Sequence, residues 1–336
     1  MYKIYIHTRI KVSHQFMSYH PMRELKIIEI KSEIGAGTRG ASLGVDAIKI
    51  AALDFGSRYF KTHKSVEVPN ENHLLLESMG NPYAKRISGI LTMMERIAEE
   101  VSKTLKNNEF PILLSGDHSN AAGTISGIKK AFPKSKLGVI WIDAHADIHS
   151  PYTTPSGNMH GMPLAIVLDE DNIDCKINTP DQETINYWYQ LKNVSNIAPK
   201  ITYKDLVYVA LRDMESPEDY LLKKHKVKNF TTTEIRKRGV ERVAIDALQH
   251  LDHCDIVYVS FDVDSMDASI SKGTGTPAAN GITEREAGNL VARLMTSDKV
   301  CCFEIVEVNP TLDKENLMAE NTFEILLRAT NSLTND

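Results

Sequence analysis

The chain alternates short apolar runs with longer stretches of helical character. The apolar runs are rich in β-branched and aromatic residues and predict buried strands at residues 25–30, 111–114, 137–142, 206–211, 256–261 and 300–306. The stretches between them predict helices at residues 45–53, 87–105, 121–131, 182–191, 240–250 and 284–294. Continuously apolar strands alternating with helices are typical of a parallel sheet covered on both faces. The pattern therefore predicts a single-domain, three-layer α/β/α fold.

Residues 1–21 lie outside this pattern. They lack the apolar run and the small-residue cleavage site of a secretory signal, and the segment from Met22 resembles a chain start ahead of the first strand. We therefore expect an N-terminal extension at residues 1–21 and one catalytic domain at residues 22–336. Two explanations for the extension stay open: a start assigned too far upstream, or a native N-terminal arm.

Composition narrows the class of protein without assigning a function. The 336 residues are 42% hydrophobic and 25% charged, and a chain of this length needs no metal merely to fold. The 39 basic and 44 acidic residues give a net charge of −5, which argues against a nucleic-acid partner. No apolar run approaches the roughly 20 residues of a membrane span. The four cysteines lack metal-finger spacing, so we expect a cytoplasmic protein with reduced thiols.

A glycine-rich segment after the first strand has the spacing of a dinucleotide-binding loop. Gly35, Gly37 and Gly40 form GxGxxG between a predicted strand and a predicted helix. That motif also requires an acidic residue about 20 positions further on, and residues 57–60 are Ser-Arg-Tyr-Phe. We interpret the segment as a flexible strand–helix loop that binds no dinucleotide.

Three of the predicted strands end in acidic residues and histidines. The sequences are GDHS at 116–119, DAHAD at 143–147 and FDVD at 261–264. Residues two apart in an extended chain point to the same side, so Asp143, His145 and Asp147 can converge, as can Asp262 and Asp264. A single strand-end aspartate more often caps the next helix. Three such ends, at the edge where open α/β sheets bind ligands, indicate a metal site.

The charges of these side chains suggest which ions the site takes. Four carboxylates packed together would raise each other's pKa, whereas two divalent cations cancel their charge. Ligation by oxygen and imidazole without thiolate favours Mn²⁺, with Co²⁺, Ni²⁺, Fe²⁺ and Zn²⁺ as alternatives. Two such ions about 3.5–4 Å apart can share a water and lower its pKa, which predicts metal-assisted hydrolysis.

Six motifs along the chain resemble those of the ureohydrolases, and of the arginases most closely. In order they are GDHS, DAHAD, SGNMHGMP, SFDVDSMD, GTGTP and EVNP. The resemblance covers nearly the whole chain. It implies a binuclear manganese enzyme, with two Mn²⁺ per subunit, that hydrolyses L-arginine to L-ornithine and urea by attack of a metal-bridging hydroxide. It also implies a homo-oligomer, a trimer or hexamer.

The resemblance implies a role for each matching residue. One ion would be held by His118, Asp143, Asp147 and Asp262, and the other by Asp143, His145, Asp262 and Asp264. Catalysis would fall to Asp147, to Glu307 paired with the guanidinium, and to His160, whose ordinary pKa near 6.5 suits a proton donor to the leaving amine. The other substrate contacts would come from Thr276, Ser156, Asn158, Glu215 and His149.

Two residues depart from the arginase pattern. His149 stands where arginases usually carry Asn, and Glu215 stands where Asp is common. Both fall at the amino-acid end of the pocket, so guanidine hydrolysis is a firmer expectation than arginine as the substrate. The alternatives are an agmatinase or another guanidino or formimidoyl hydrolase, and a non-catalytic scaffold that binds a partner. A two-metal phosphoesterase is disfavoured because few cations flank the strand ends.

Overall fold

The computed structural model describes residues 24–334 and gathers its strands into one parallel sheet. The strands are β1 (Leu25–Ile30), β2 (Lys64–Glu67), β3 (Phe110–Ser115), β4 (Leu137–Ile142), β5 (Leu206–Val209), β6 (Lys228–Phe230), β7 (Ile256–Asp262) and β8 (Val300–Val306). Their order across the sheet is β2-β1-β3-β8-β7-β4-β5-β6. The expected parallel α/β sheet is confirmed. The expected extension at residues 1–21 lies outside the described residues.

Helices connect the strands. They are α1 (Gly44–Asp54), α2 (Tyr59–Thr62), α3 (Ile87–Lys106), α4 (Ala121–Ala131), α5 (Pro163–Leu168), α6 (Gln182–Asn193), α7 (Ser216–His225), α8 (Thr232–Arg238), α9 (Val240–His250), α10 (Glu284–Met295) and α11 (Leu317–Thr334). None of the helices between residues 24 and 334 has the length and apolarity needed to cross a membrane.

The side chains of each central strand pack on both faces of the sheet. In β4, Ile140 and Ile142 belong to an apolar cluster formed with α1, α9, α10 and α11. Val139 and Trp141 of the same strand belong to a second cluster, formed with α3, α4 and α5. Because successive residues of a strand point to opposite faces, the sheet lies between two helical layers. The three-layer α/β/α arrangement is confirmed.

The strand order determines where the polar strand ends meet. Strands β7 and β8 lie between β3 and β4 although they come last in the chain. The four strands β3, β8, β7 and β4 are therefore adjacent and parallel, and their carboxyl ends share one edge of the sheet. All of the predicted acidic and histidine strand ends come to this edge.

The differences from the predicted elements have physical causes. Strands β2 and β6 were not predicted because they are short edge strands without an apolar run, such as Lys-Ser-Val-Glu in β2. The predicted strand at 206–211 is too long, because Ala210 adopts a left-handed conformation with φ 71° and ends β5 at Val209. Helix α11 was also missed, although Ala319, Phe323 and Leu326 follow helical spacing and are buried.

We expect Phe323→Ala to destabilise the protein by about 3–5 kcal/mol. The Phe323 side chain is fully buried, and its ring centroid lies 5.9 Å from that of Phe55 and 6.1 Å from that of Tyr59. Truncation therefore leaves a cavity between α11, α1 and α2. Urea unfolding measures the effect, with the exposed Leu76→Ala as the matched control. Equal unfolding midpoints for the two variants would contradict this packing.

Candidate metal and substrate site

Two aspartates at the carboxyl ends of the strands each bind the following turn with one side-chain oxygen and direct the other towards the site. Asp143 Oδ1 accepts a hydrogen bond from His145 N at 2.7 Å, and Asp262 Oδ1 accepts one from Asp264 N at 2.8 Å. The second oxygen, Oδ2, of each aspartate lies 3.1 Å from His118 Nδ1. The capping role common for strand-end aspartates and a ligand role are compatible here, because different oxygens carry them.

All six residues predicted to bind metal lie together, and we call them the acid–histidine cluster (His118, Asp143, His145, Asp147, Asp262 and Asp264). The ligand atoms of His118, Asp143 and Asp262 lie within 4.8 Å of one another, as do those of Asp143, His145 and Asp264. Asp147 Oδ2 joins the first group, 2.9 Å from His118 Nδ1. His145 Nδ1 joins the second, 2.9 Å from Asp264 Oδ2. Asp143 is common to both groups.

Two polar atoms at the centre of the cluster lie 3.1 Å apart, yet neither makes a hydrogen bond of good geometry with any residue between 24 and 334. They are His118 Nδ1 and Asp143 Oδ2, and both are buried. Leaving a buried polar atom unsatisfied costs about 1–3 kcal/mol, so such atoms are uncommon unless a ligand completes them. Imidazole nitrogen and carboxylate oxygen are ligands that borderline-hard divalent cations accept. The residues present therefore fit divalent metal ions.

The electrostatics of the cluster favour a bound cation. Burial, and then the neighbouring Asp264 and Asp143, raise the pKa of Asp262 well above its usual range. Burial, and then Asp143, raise the pKa of Asp147 to about 6. Burial alone would lower the pKa of His118, but its contacts with the surrounding carboxylates outweigh this and raise it. Each of these pKa shifts shows that added positive charge would stabilise the crowded carboxylates.

The two histidines of the cluster are held through their other ring nitrogens. His118 Nε2 lies 2.8 Å from Ser260 Oγ, and the imidazole stacks on Trp141 with ring centroids 4.0 Å apart. His145 Nε2 lies 3.8 Å from Asp213 Oδ2. These contacts direct Nδ1 of each histidine towards the carboxylates. None of the three supporting residues was predicted. Two of them could have been, because Ser260 and Trp141 lie two residues before cluster aspartates and share their face of the strand.

Glu307 follows β8 and lies beside the cluster in a left-handed conformation, with φ 66°. Its Oε1 accepts a hydrogen bond from His118 N at 2.9 Å and lies 3.1 Å from His160 Nδ1. No described residue donates a hydrogen bond to its Oε2, and a side chain at Gly275 would begin 3.8 Å from that oxygen. Glu307 is thus fixed through one oxygen and leaves the other available to a ligand.

The expectation of an ordinary pKa for His160 is wrong. Burial alone would lower it, but the hydrogen bond with Glu307 and the charge of that carboxylate raise the pKa of His160 to about 9. Burial would raise the pKa of Glu307, yet His160 and the His118 amide hold it below its usual value. At neutral pH the two residues therefore form an imidazolium–carboxylate pair.

The two residues that depart from the arginase pattern contact each other. His149 Nε2 lies 3.1 Å from Glu215 Oε2, and His149 Nδ1 lies 3.1 Å from Thr153 Oγ1. The hydrogen bond with His149 lowers the pKa of Glu215 to about 2. Buried Glu218 accepts from the backbone N–H groups of Ile148 and Glu215, at 3.2 and 3.1 Å. One carboxylate therefore anchors the backbone on both sides of the contact.

The remaining predicted substrate residues lie at different distances from the cluster. Thr276 Oγ1 donates to Asp264 Oδ2 at 3.1 Å, so Thr276 lies directly against the cluster. Ser156 is exposed, and its Oγ accepts from Asn158 N at 3.2 Å. The Asn158 amide oxygen accepts from Lys85 Nζ at 2.9 Å. Among the described residues, no hydrogen bond joins Ser156 or Asn158 to the cluster itself.

The glycine-rich loop packs against the site instead of forming a flexible connection. Gly35 N donates to Asp117 Oδ2 at 2.9 Å, and Gly35 O accepts from His160 N at 3.2 Å. A Cβ at Gly35 would lie 2.6 Å from Ser119 Oγ, and one at Gly37 would lie 2.5 Å from Asn158 Nδ2. The glycines are needed for close approach to the site.

At the end of this loop, two backbone N–H groups that could bind a phosphate are already bound to a carboxylate. Glu33 Oε2 accepts hydrogen bonds from Gly40 N at 2.7 Å and from Ser42 N at 2.9 Å. These are N–H groups at the start of a helix, the kind that a pyrophosphate would use. The carboxylate of Glu33 therefore already occupies them.

Comparison with known proteins identifies the family. A family model described as "Arginase family" matches residues 23–331. An arginase of Brevibacillus brevis is 34% identical over 88% of this chain and 94% of its own length, and one of Bacillus subtilis is 32% identical over 90% and 96%. The arginase structure from Bacillus caldovelox superimposes with a TM-score of 0.79 at 29% identity, covering 92% of this chain and 98% of its own. This chain belongs to the arginase family.

Proposed function

We propose that this protein hydrolyses L-arginine to L-ornithine and urea with two Mn²⁺ ions bound in the acid–histidine cluster. The observation that carries the proposal is the pairing of Glu307, which has one oxygen without a described donor, with protonated His160 beside that cluster. A planar cation is the group that such an oxygen suits. The matched relatives are named arginases, which supports arginine as the source of that cation.

The cluster supplies a ligand set for each ion. His118, Asp143, Asp147 and Asp262 would hold one, and the other would be held by Asp143, His145, Asp262 and Asp264. The four carboxylates balance the four positive charges of two divalent ions. Once bound, the ions supply a nucleophile by lowering the pKa of a shared water.

Glu307 would orient the guanidinium. Its Oε1 is held from two directions, by the His118 amide and by His160 Nδ1, so the carboxylate cannot rotate freely. Oε2 then accepts a charge-assisted hydrogen bond from a guanidinium N–H. Thr276, which donates to Asp264, lines the same end of the pocket. Fixed orientation presents the central guanidinium carbon to the cluster, which is where attack is required.

His160 would deliver a proton to the departing amine. Hydrolysis breaks the bond between the guanidinium carbon and the side-chain nitrogen of arginine, and the oxygen of water becomes the oxygen of urea. The leaving nitrogen needs a proton at that moment. His160 can supply it, because the hydrogen bond with Glu307 raises the pKa of His160 and favours its protonated form, and its ring lies beside the carboxylate that would hold the substrate.

The amino-acid end of arginine would bind away from the cluster. Ser156 and Asn158 would contact the α-carboxylate, and Glu215, supported by His149, would face the α-amino group. A homo-oligomer, either trimer or hexamer, and a cytoplasmic location stay predictions.

We expect Mn²⁺-loaded protein to release urea from L-arginine faster than from agmatine or guanidinobutyrate. Agmatine has no carboxylate, and guanidinobutyrate has no α-amino group, so each loses one set of contacts. Initial rates of urea release on the three substrates, measured side by side, test this. Faster turnover of agmatine would make the protein an agmatinase, and no urea from any of them would favour a non-catalytic scaffold.

We expect Mn²⁺ to raise the melting temperature of the metal-free protein and to do so only through the cluster. Binding of one ion at 100 times its dissociation constant stabilises a protein by about 2.7 kcal/mol, or roughly 4 °C at this size. Asp262→Asn should lose most of this shift, whereas Asp54→Asn, an exposed control, should keep it. A full shift in Asp262→Asn, with unchanged metal content by elemental analysis, would remove Asp262 from the ligand set.

We expect His160→Gln to lower kcat for arginine by about 10²–10⁴-fold and to change KM little, because proton transfer is needed in the transition state and not for binding. The variant should keep wild-type metal content, since His160 contacts Glu307 and not the cluster. His73→Gln, at an exposed histidine, is the matched control. A fivefold or smaller loss of kcat would show that another group supplies the proton.

A further inference from the structure

Lys85 lies beside the loop that would bind the substrate carboxylate. Its Nζ donates to Asn158 Oδ1 at 2.9 Å. Its backbone N–H donates to Gly157 O at 2.9 Å, so backbone and side chain are both tied to the segment Gly157–Asn158. The two residues are 73 positions apart in the chain, and no local motif suggested the contact.

The segment around Lys85 is packed closely enough to hold this position. Gly157 has φ +75°, and a Cβ there would lie 1.8 Å from Pro82 O. The two loops therefore touch through their backbones, which fixes the base of the Lys85 side chain. Lys85 itself is half-buried. Its ammonium group is positioned, yet it can still reach a ligand.

The contact also decides which way the Asn158 amide faces. An ammonium can only donate hydrogen bonds, so the Asn158 atom that it contacts must be the oxygen. The Nδ2 group then lies on the other side, over Gly37, where any side chain on residue 37 would collide with it. Lys85 thereby turns the Asn158 amide so that its N–H donors lie away from the lysine and remain available to a carboxylate.

The charge of Lys85 is not neutralised within the described chain. Between residues 24 and 334 no carboxylate forms an ion pair with it. Arg86, the next residue after Lys85, has a pKa lowered by burial and then by the nearby charge of Arg39. Three cations, Lys85, Arg86 and Arg39, therefore lie in this part of the structure, whereas the acid–histidine cluster and Glu215 are anionic. An amino-acid ligand needs this separation, with its carboxylate on one side and its amino group on the other.

We propose that Lys85 is a specificity-determining residue that binds the carboxylate of the substrate together with Asn158. This inference rests on the proposed function, because it names the residue that selects guanidines bearing a carboxylate. The Lys85 ammonium would attract the negative charge of the carboxylate, and the N–H donors of the Asn158 amide would orient it by hydrogen bonds. A substrate without a carboxylate would gain nothing from Lys85 and would leave a cation facing its apolar end.

The test compares L-arginine with L-argininamide, in which a neutral amide replaces the carboxylate. For Lys85→Met we expect KM for L-arginine to rise about tenfold, as for loss of one charge-assisted hydrogen bond, with kcat within twofold of wild type. KM for L-argininamide should stay unchanged. Lys85→Arg keeps the charge and should restore most of the affinity for arginine. Lys106→Met, at an exposed lysine at the far end of α3, is the matched control.

The outcomes separate this inference from the proposed function. If wild-type protein hydrolyses arginine and Lys85→Met leaves its KM unchanged, or raises KM equally for argininamide, the inference is wrong and the function stands. If guanidinobutyrate is the preferred substrate and Lys85→Met raises its KM, the inference stands and arginine is the wrong substrate. Preference for agmatine would overturn both.

Discussion

The crowding of four buried carboxylates at one edge of the sheet is the constraint on which the rest of this structure depends. Asp143, Asp262 and Asp264 are nearly inaccessible to solvent, and Asp147 is only slightly more open. Burial of a charged carboxylate is unfavourable unless hydrogen bonds and opposite charge compensate for it. Backbone N–H groups of the turns after β4 and β7 each bind one oxygen of Asp143, Asp262 and Asp264. Positive charge near the remaining carboxylate oxygens would offset their mutual repulsion, so the arrangement favours a bound cation.

The fold meets this constraint by rigidity. Strands β3, β8, β7 and β4 are buried on both faces, so their ends cannot move apart to relieve repulsion. Asp147 and Glu307 both have positive φ. Such conformations cost of order 1–3 kcal/mol each and persist where the surroundings enforce them. Their occurrence at two residues of the same site indicates that sheet packing stabilises a geometry that local preference disfavours.

The sequence could predict what depends on local periodicity. Strands β1, β4 and β8 begin and end where expected, because a strand buried on both faces appears as a continuous apolar run. The cluster residues were predictable because alternation in a strand places residues two apart on one side. The edge strands β2 and β6 lack that signal. The contact of Lys85 with Asn158 had no local signal at all, because only the tertiary fold brings the two loops together.

The pair His149 and Glu215 shows that sequence positions interpreted one at a time can hide a contact between them. Each looks like an independent departure from the family pattern, yet their side chains meet at 3.1 Å across 66 positions of sequence. An aspartate at position 215 would be shorter by about 1.5 Å and would not reach the imidazole. Glu218 holds the backbone at both places, so neither residue can shift to follow a change in the other. The two departures are therefore one coupled feature. His149 requires the longer carboxylate of Glu215 for this contact. The charge at the amino-acid end of the pocket is therefore set by both residues together.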